Sequence, residues 1–304
     1  MQKIYFPRYN KIETCAVICV IYIILLSMKR LALLTLAAFL LSVLSGCHRG
    51  ESEFTIKTIA DSRHTLITTD AGWWPEFDTL GVENKYSLSW PAEGVLSEEV
   101  EHELLLRCFG DSNATSFEQA ADAWLSNSWL YEDDVPNLRK KVVDSIPGSI
   151  MFNYANLESE YTAYDNIGTF HILTQVGSPL AAHGVYYANY VNIDLNTRQI
   201  IHLNDLVDTS LLGEVIVRAV EDLTVNKEAL DCLFDDYQQT GKLPVPENFL
   251  IDSTRSTIIL VYQIYEVAPY ACGIQSIVLP IFWLSKHIPL TPYAKELFGE
   301  GCSL

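Results

Sequence analysis

The hydrophobic positions of this chain change period along its length, and the changes mark its elements. Residues from Phe54 to Ile59 and from Tyr86 to Trp90 alternate as strands do, the second ended by Pro91. The spacing then becomes helical. Ser97 is placed to cap a helix opened by Glu98 and Glu99, with Val100, Leu104, Leu105, Cys108 and Phe109 on one face and Gly110 at its end. Ser116 starts a second helix, whose face is Phe117, Ala120, Ala121, Trp124 and Leu125. From residue 137 onward strands return. Ser149 to Tyr161, Thr169 to Val176 and Val185 to Asp194 read as a meander, and Asn196-Thr197 turns the chain into Gln199–His202. Leu211, Leu212, Val215, Ile216, Ala219, Val220 and Leu223 mark a helix. Asn226 is placed to cap another, with Ala229, Leu230, Leu233, Phe234 and Tyr237 on one face. Phe249–Ile251 and Ser256–Ile264 pair as a hairpin through Asp252-Ser253-Thr254-Arg255, and Ile274–Leu279 is a further strand. Thr291, with Pro292 at the first helical position, starts a last short helix that Gly299 closes. These elements predict an α+β fold: a mostly antiparallel sheet with helices packed on one face, in two successive subdomains, residues 53–145 and 146–304.

The first 46 residues follow a different pattern. Met28-Lys29-Arg30 is a short basic start, residues 31–44 are uncharged and apolar, and Leu44-Ser45-Gly46-Cys47 follows. A basic segment, an apolar run and small residues before a cut site define a secretory signal. The cysteine directly after Leu-Ser-Gly resembles the lipobox of bacterial lipoproteins, which signal peptidase II reads once the cysteine carries its lipid. The resemblance implies a signal peptide at 28–46, cleavage before Cys47, a lipid on Cys47 that holds the protein on a membrane, and a tether at 47–52. The apolar run is short of the roughly 20 residues of a spanning helix. Residues 1–27 contain a second apolar stretch, Cys15 to Leu26. Because the signal from Met28 is complete by itself, residues 1–27 are expected to be an over-extended start, the alternative being a two-pass hairpin. His48 is not the aspartate that retains some lipoproteins at an inner membrane, so an outer-membrane location in the cell envelope is expected, on either the periplasmic or the surface side.

Charge narrows the partners. The segment 47–304 carries 15 basic and 37 acidic residues, a net charge of −22. That argues against electrostatic binding of nucleic acid or anionic lipid and suits a basic partner, a cation, or plain solubility. Of the cysteines beyond Cys47, Cys108, Cys232, Cys272 and Cys302 are widely spaced and form no CxxC motif, which argues against a zinc knuckle. Exported proteins permit disulfides, and these four allow three pairings, with Cys108 on an apolar helix face equally suited to a buried free thiol.

The chain has no HExxH, Walker A, GxGxxG or GxSxG motif. No two of its seven histidines have metal-ligand spacing on one element, and no cofactor or metal is expected. Glu98, Glu99, Glu101 and Glu103 read as a solvated helix start, and Glu132-Asp133-Asp134 as a loop before Pro136, so no catalytic carboxylate pair is assigned.

Two stretches carry more specific information. The first runs through Ala181-Ala182-His183-Gly184, Tyr187, Asn192-Ile193-Asp194-Leu195, Thr197 and Ile201 to Leu206. The second contains Ile258 to Tyr262, Tyr265-Glu266-Val267-Ala268-Pro269-Tyr270-Ala271-Cys272-Gly273, and Val278 through Pro280. In order and spacing, over roughly residues 150–287, they resemble the extracellular domain of RsiV, a membrane anti-sigma factor related to many bacterial lipoproteins of unknown function. Two positions depart from that pattern: Ala181-Ala182 replaces a glycine pair, and Arg198 stands where a turn glycine is expected. The resemblance implies a binding module whose ligand contacts would come from His183, Asp194, Tyr262, Tyr265, Glu266 and Tyr270. Because the RsiV exterior domain binds lysozyme, it also implies a basic protein such as lysozyme as partner, with a wall glycan as the other candidate. With a lipid in place of a membrane span and no cytoplasmic segment, an anti-sigma role is not expected. The bland reading makes the same tyrosines packing residues, His183 a core or hinge histidine, and Pro269 and Gly273 turn punctuation. The remaining alternatives are an envelope enzyme acting on wall sugar or peptide, for which a deep pocket holding Glu266 and His183 would speak, and a structural lipoprotein of an envelope complex.

Overall fold

The computed structural model describes residues 54–69, 79–92, 94–130, 137–179, 181–240 and 242–299. Cys47, the signal segment, Glu132-Asp133-Asp134 and Cys302 lie outside the described residues. The described residues form one compact unit. Its strands are β1 (Ile56–Thr68), β2 (Thr79–Pro91), β3 (Arg139–Val143), β4 (Phe152–Tyr164), β5 (Ile167–Gly177), β6 (Val185–Asp194), β7 (Gln199–Ile200), β8 (Phe249–Asp252), β9 (Thr257–Tyr262) and β10 (Gln275–Pro280). Its helices are α1 (Glu98–Phe109), α2 (Phe117–Ser126), α3 (Leu203–Leu206), α4 (Thr209–Asp222), α5 (Lys227–Leu230), α6 (Asp235–Thr240), α7 (Ile281–Leu284) and α8 (Pro292–Phe298). None of the described helices is long and apolar enough to cross a membrane.

The fold is α+β, as the periodicity predicts. Seven strands form one sheet in the order β3-β1-β2-β4-β5-β6-β7, and three form a second in the order β10-β9-β8. Every pairing is antiparallel except β2 with β4, so the large sheet joins strands from both sides of residue 146. Its β3 edge carries Arg139, Lys140 and Lys141, charges that discourage pairing with another chain.

Two apolar layers hold the elements. On the large sheet, Leu88, Trp90, Leu157, Phe170, Ile172 and Ile193 pack against Val100, Leu104 and Leu105 of α1 and Ala120, Trp124 and Leu125 of α2. The second layer lies around the small sheet, where Ile258, Leu260, Ile277 and Leu279 meet Leu212, Ile216 and Val220 of α4. The expected caps form. Ser97 accepts from Val100 N–H, Ser116 from Gln119 N–H and Thr291 from Ala294 N–H, and Gly110 closes α1 at φ +70.

Two expectations fail locally. The first strand is 13 residues long and not six, because its far half pairs with both β2 and β3. The helix expected after Asn226 is broken into α5 and α6, and Asn226 does not cap it. Asn226 is buried instead. Its amide donates to the carbonyls of Ala219 and Val278 and accepts from Val278 N–H, tying the end of α4 to β10. Between α5 and α6, Cys232 is bonded to Cys272, which settles that pair, while Cys108 is a buried free thiol whose pKa burial pushes far up.

The two sheets meet at β6. This strand has β5 on one side and only the two-residue β7 on the other, so its backbone groups near Ala188 have no strand partner there. Side-chain amides fill the gap. Gln263 accepts from Ala188 N–H at 3.1 Å and donates to Ala188 O at 2.7 Å. Asn248 also donates to Ala188 O and accepts from Tyr190 N–H at 3.0 Å. Asn192 reaches out from β6 to Phe249 O and Ile251 N–H. Buried backbone groups must be paired, and these amides pair them without a further strand.

Candidate functional site

Gln263 holds the end of β9 against β6, and this contact brings the two informative stretches of sequence together. The loop that enters β6 carries His183 and Gly184, and the loop that leaves β9 carries Tyr265 to Gly273. They meet at the β5–β6 end of the large sheet. The His183 ring stacks on Tyr270 with centroids 3.7 Å apart and planes 19° from parallel. Tyr265 Oη lies 3.2 Å from His183 Nε2, and the Tyr265 and Tyr270 rings are 5.8 Å apart. Tyr270 donates its hydroxyl to Gly184 O at 2.8 Å, fixing one loop to the other. His183 is exposed and Tyr265 is 55% exposed, so the group is a surface platform.

Backbone conformation shapes this platform. Tyr265 has φ +66, a left-handed value that a bulky residue rarely adopts and that costs about 1–3 kcal/mol. The turn is held by Glu266, whose carboxylate accepts from Gln263 N–H at 2.8 Å while its own N–H donates to Gln263 O. Gly273 combines φ +70 with ψ −160, a region that belongs to glycine, and the Tyr186 hydroxyl occupies the space a Cβ would need.

Of the six candidate residues, the structure joins His183, Tyr265 and Tyr270 directly and leaves Glu266 at their margin, its carboxylate engaged in the turn. The other two lie elsewhere. Tyr262 is fully buried in β9 and donates to Pro244 O, and burial, with Glu266 and Tyr237 nearby, pushes its pKa far up. It belongs to the core, since its alternation along β9 points it inward. Asp194 closes β6 at the opposite end from His183. Its carboxylate accepts from the N–H groups of Asn196 and Thr197 and from the Tyr293 hydroxyl, which docks α8. Burial, then this bond, pushes the Tyr293 pKa far up. An aspartate committed to three such bonds organises the β6–β7 turn.

Tyr186 and Tyr154 complete the platform and are not among the sequence candidates. Tyr186 meets Tyr270 edge-on at 6.3 Å. Tyr154 is 37% exposed and lies over Gly177, directly across from it on β5, its ring filling the space a Cβ there would take. For Tyr154 the available signal was the glycine opposite it, Gly177, readable only once strand register is known; Tyr186 has Gln175 opposite it and carries no such signal. Among the described residues no three His, Cys, Asp or Glu side chains converge as metal ligands would.

The platform can stack planar groups on its rings and exchange hydrogen bonds through His183 and the Tyr265 hydroxyl. Residues 210–281 match the profile of a family described as a protein of unknown function, DUF3298. The DUF3298 match runs from α4 through the Tyr265–Gly273 loop to the start of α7, and His183 and Asp194 precede it. Two solved DUF3298 proteins resemble the chain. One from Bacteroides fragilis is 19% identical, with a TM-score of 0.50 over 80% of this chain and 96% of its own. One from Pseudomonas aeruginosa is 15% identical, with a TM-score of 0.47 over 79% of this chain and 96% of its own. The first shares the fold. No curated protein matches the chain.

Ala181 and Ala182 are not among the residues with positive φ, so alanine is tolerated there. Arg198 does take φ +59, the conformation in which a glycine would sit without strain.

Proposed function

We propose that this chain is a lipid-anchored binding module of the bacterial cell envelope, held by a lipid on Cys47, whose partner is a basic protein. The exposed platform of His183, Tyr265 and Tyr270 carries the reading. It is built from the positions that resemble RsiV, and it belongs to a segment of net charge −22. Aromatic side chains with polar tips are the residues that dominate binding at protein interfaces. A strongly acidic surface speeds encounter with a cationic partner and makes the association sensitive to salt. Lysozyme, the basic hydrolase that RsiV binds, is the first partner to test. In this reading the lipid on Cys47 holds the module on a membrane of the envelope, and His48 in the position after it favours the outer one. The module is not catalytic in this reading: the carboxylate of Glu266, beside the platform, is occupied in holding a turn.

The test is retention of lysozyme on the immobilised protein at low and at high salt. Retention at low salt that falls with added salt and is lost in Tyr265→Ala supports the reading. No retention at low salt removes lysozyme as the partner, and retention unchanged in Tyr265→Ala removes the platform as the site. Palmitate labelling of the native protein, abolished by Cys47→Ala, tests the anchor.

A further inference from the structure

The edges of the large sheet are closed in different ways, and one stretch is left. Gln263 and Asn248 pair the backbone of β6, β7 is two residues long, and β3 carries Arg139, Lys140 and Lys141. Along β1, however, β3 pairs only with residues 64–68. Residues 56–63 have β2 on one side and, among the described residues, no strand on the other. Lys57, Thr58, Ala60, Asp61 and Ser62 are exposed there. An open strand edge is a template for another chain, and this one has no proline and no bulge to prevent pairing.

The strand is complementary to itself. Ala92 N–H bonds to Thr55 O, so the odd-numbered residues of β1 turn their backbone groups toward β2. The even-numbered ones turn outward, where Ser62 N–H meets the Asp61 carboxylate and not β2. Lys57, Ile59 and Asp61 lie opposite Trp90, Leu88 and Tyr86, so their side chains share the face that the helices cover. Two copies related by a twofold axis normal to the sheet keep both alternations only in antiparallel registers centred on a residue. Charge chooses among these registers. Centred on Ala60, Lys57 meets Arg63. Centred on Thr58, Lys57 meets Ile59 and Asp61 meets Thr55. Centred on Ile59, Lys57 of each copy lies opposite Asp61 of the other, the two Ile59 side chains meet on the axis, and Thr58 and Ala60 exchange backbone hydrogen bonds. The Lys57–Asp61 and Ile59–Ile59 pairs are then the non-hydrogen-bonded ones, whose side chains approach most closely.

We propose that this chain pairs with a second copy of itself along β1, in antiparallel register centred on Ile59, so that two large sheets become one. The pairing stops short of β3. Ser62 lies opposite Ile56 of the second copy, and Val143, the last residue of β3, already occupies the place opposite His64. Lys57, Arg63, Arg139, Lys140 and Lys141 stand on this side of the sheet against Asp61 and Asp144, so the edge is not acidic although the chain is. An extended acidic peptide would suit the basic residues but leave Asp61 facing like charge, whereas a second copy satisfies both signs. Neither the platform nor the lipid enters this argument, so it stands or falls separately from the protein partner.

The experiment measures the mass of the full-length protein by sedimentation in density-matched detergent. The parent should sediment as two copies at micromolar concentration. Lys57→Asp and Asp61→Lys each set like charges opposite one another twice, and each should weaken the pairing by about tenfold. The double variant should restore it, because positions 57 and 61 lie about 13 Å apart along one strand and compensate only between copies. Ile59→Cys, on the axis, should give a covalent dimer under a mild oxidant, and Ser62→Cys, placed away from its own counterpart, should not. The proposal is overturned by a double variant no better than the single ones, or by Ser62→Cys linking as readily as Ile59→Cys. A parent that stays monomeric up to millimolar concentration also overturns it, and if that monomer binds an extended oligo-aspartate peptide, the edge belongs to an acidic partner instead.

Discussion

Asn248 is bonded to Ala188 as a neighbouring strand would be: its side-chain amide donates to Ala188 O at 2.7 Å, and the same amide accepts from Tyr190 N–H. One side chain thus closes part of an open strand edge and fixes the small sheet to the large one. Replacing it with leucine, close in size, leaves the Tyr190 N–H without its partner, while Ala188 O keeps the bond from Gln263; an unpaired backbone group of this kind costs about 1–3 kcal/mol. Asn248→Leu is expected to lower unfolding stability by about 2 kcal/mol, read from the midpoint of urea denaturation. A loss under 1 kcal/mol would mean that water reaches this edge.

Gly273 sets the path of the loop that presents Tyr270. In Gly273→Ala the added Cβ meets the Tyr186 hydroxyl at 2.7 Å in a backbone region closed to alanine. The expected cost is about 2 kcal/mol. The mutant should also disturb the ring-current shifts of His183, which stacks on Tyr270. Unchanged His183 shifts would separate the loop from the platform.

Arg198 offers the opposite change. It holds φ +59 in the turn after Asp194, and its guanidinium reaches Val95 O at 3.5 Å. A left-handed conformation costs a non-glycine residue about 1–2 kcal/mol. Arg198→Gly should therefore raise stability by about 1 kcal/mol, seen as a higher melting temperature. A lower one would show that the guanidinium contributes more than the strain removes.

His171 gives a pH dependence. Its ring stacks on Tyr190 at 4.7 Å, and burial lowers its pKa below the ordinary 6.5, with Glu160 opposing in part. The unfolded chain then takes up the proton more readily than the folded one. The contribution to stability is complete above pH 6.5 and is lost as pH falls from there through the folded-state value. NMR titration should place His171 below 6.5, and His171→Phe should flatten the melting temperature between pH 7.5 and 5. A measured value above 6.5 would reverse the sign.

Local signals carried far in this chain. Ser97, Ser116 and Thr291 cap helices where their spacing places them, because capping depends on residues within one turn. Val185–Asp194 is a strand over its whole expected length. Asn226 misled because an asparagine before a helical stretch has the same local pattern whether it caps a helix or, as here, bridges α4 to β10 52 residues away. Of the candidate site, His183, Tyr265 and Tyr270 were legible as a motif. Tyr262 and Asp194 share that motif and serve the core and a turn instead, a distinction that depends on which way each residue faces.

By itself, then, the sequence determined the α+β class, the caps at Ser97, Ser116 and Thr291, and the acidic charge, all of which rest on near neighbours or on composition. Only the tertiary structure decided that β2 lies parallel to β4, that Cys232 pairs with Cys272, and that Gln263 and Asn248 stand in for a missing strand beside β6. Those relationships join residues 40 or more positions apart. Side chains that meet over such distances are chosen by burial and by the need of every buried backbone group for a partner, and neither leaves a fixed spacing along the chain.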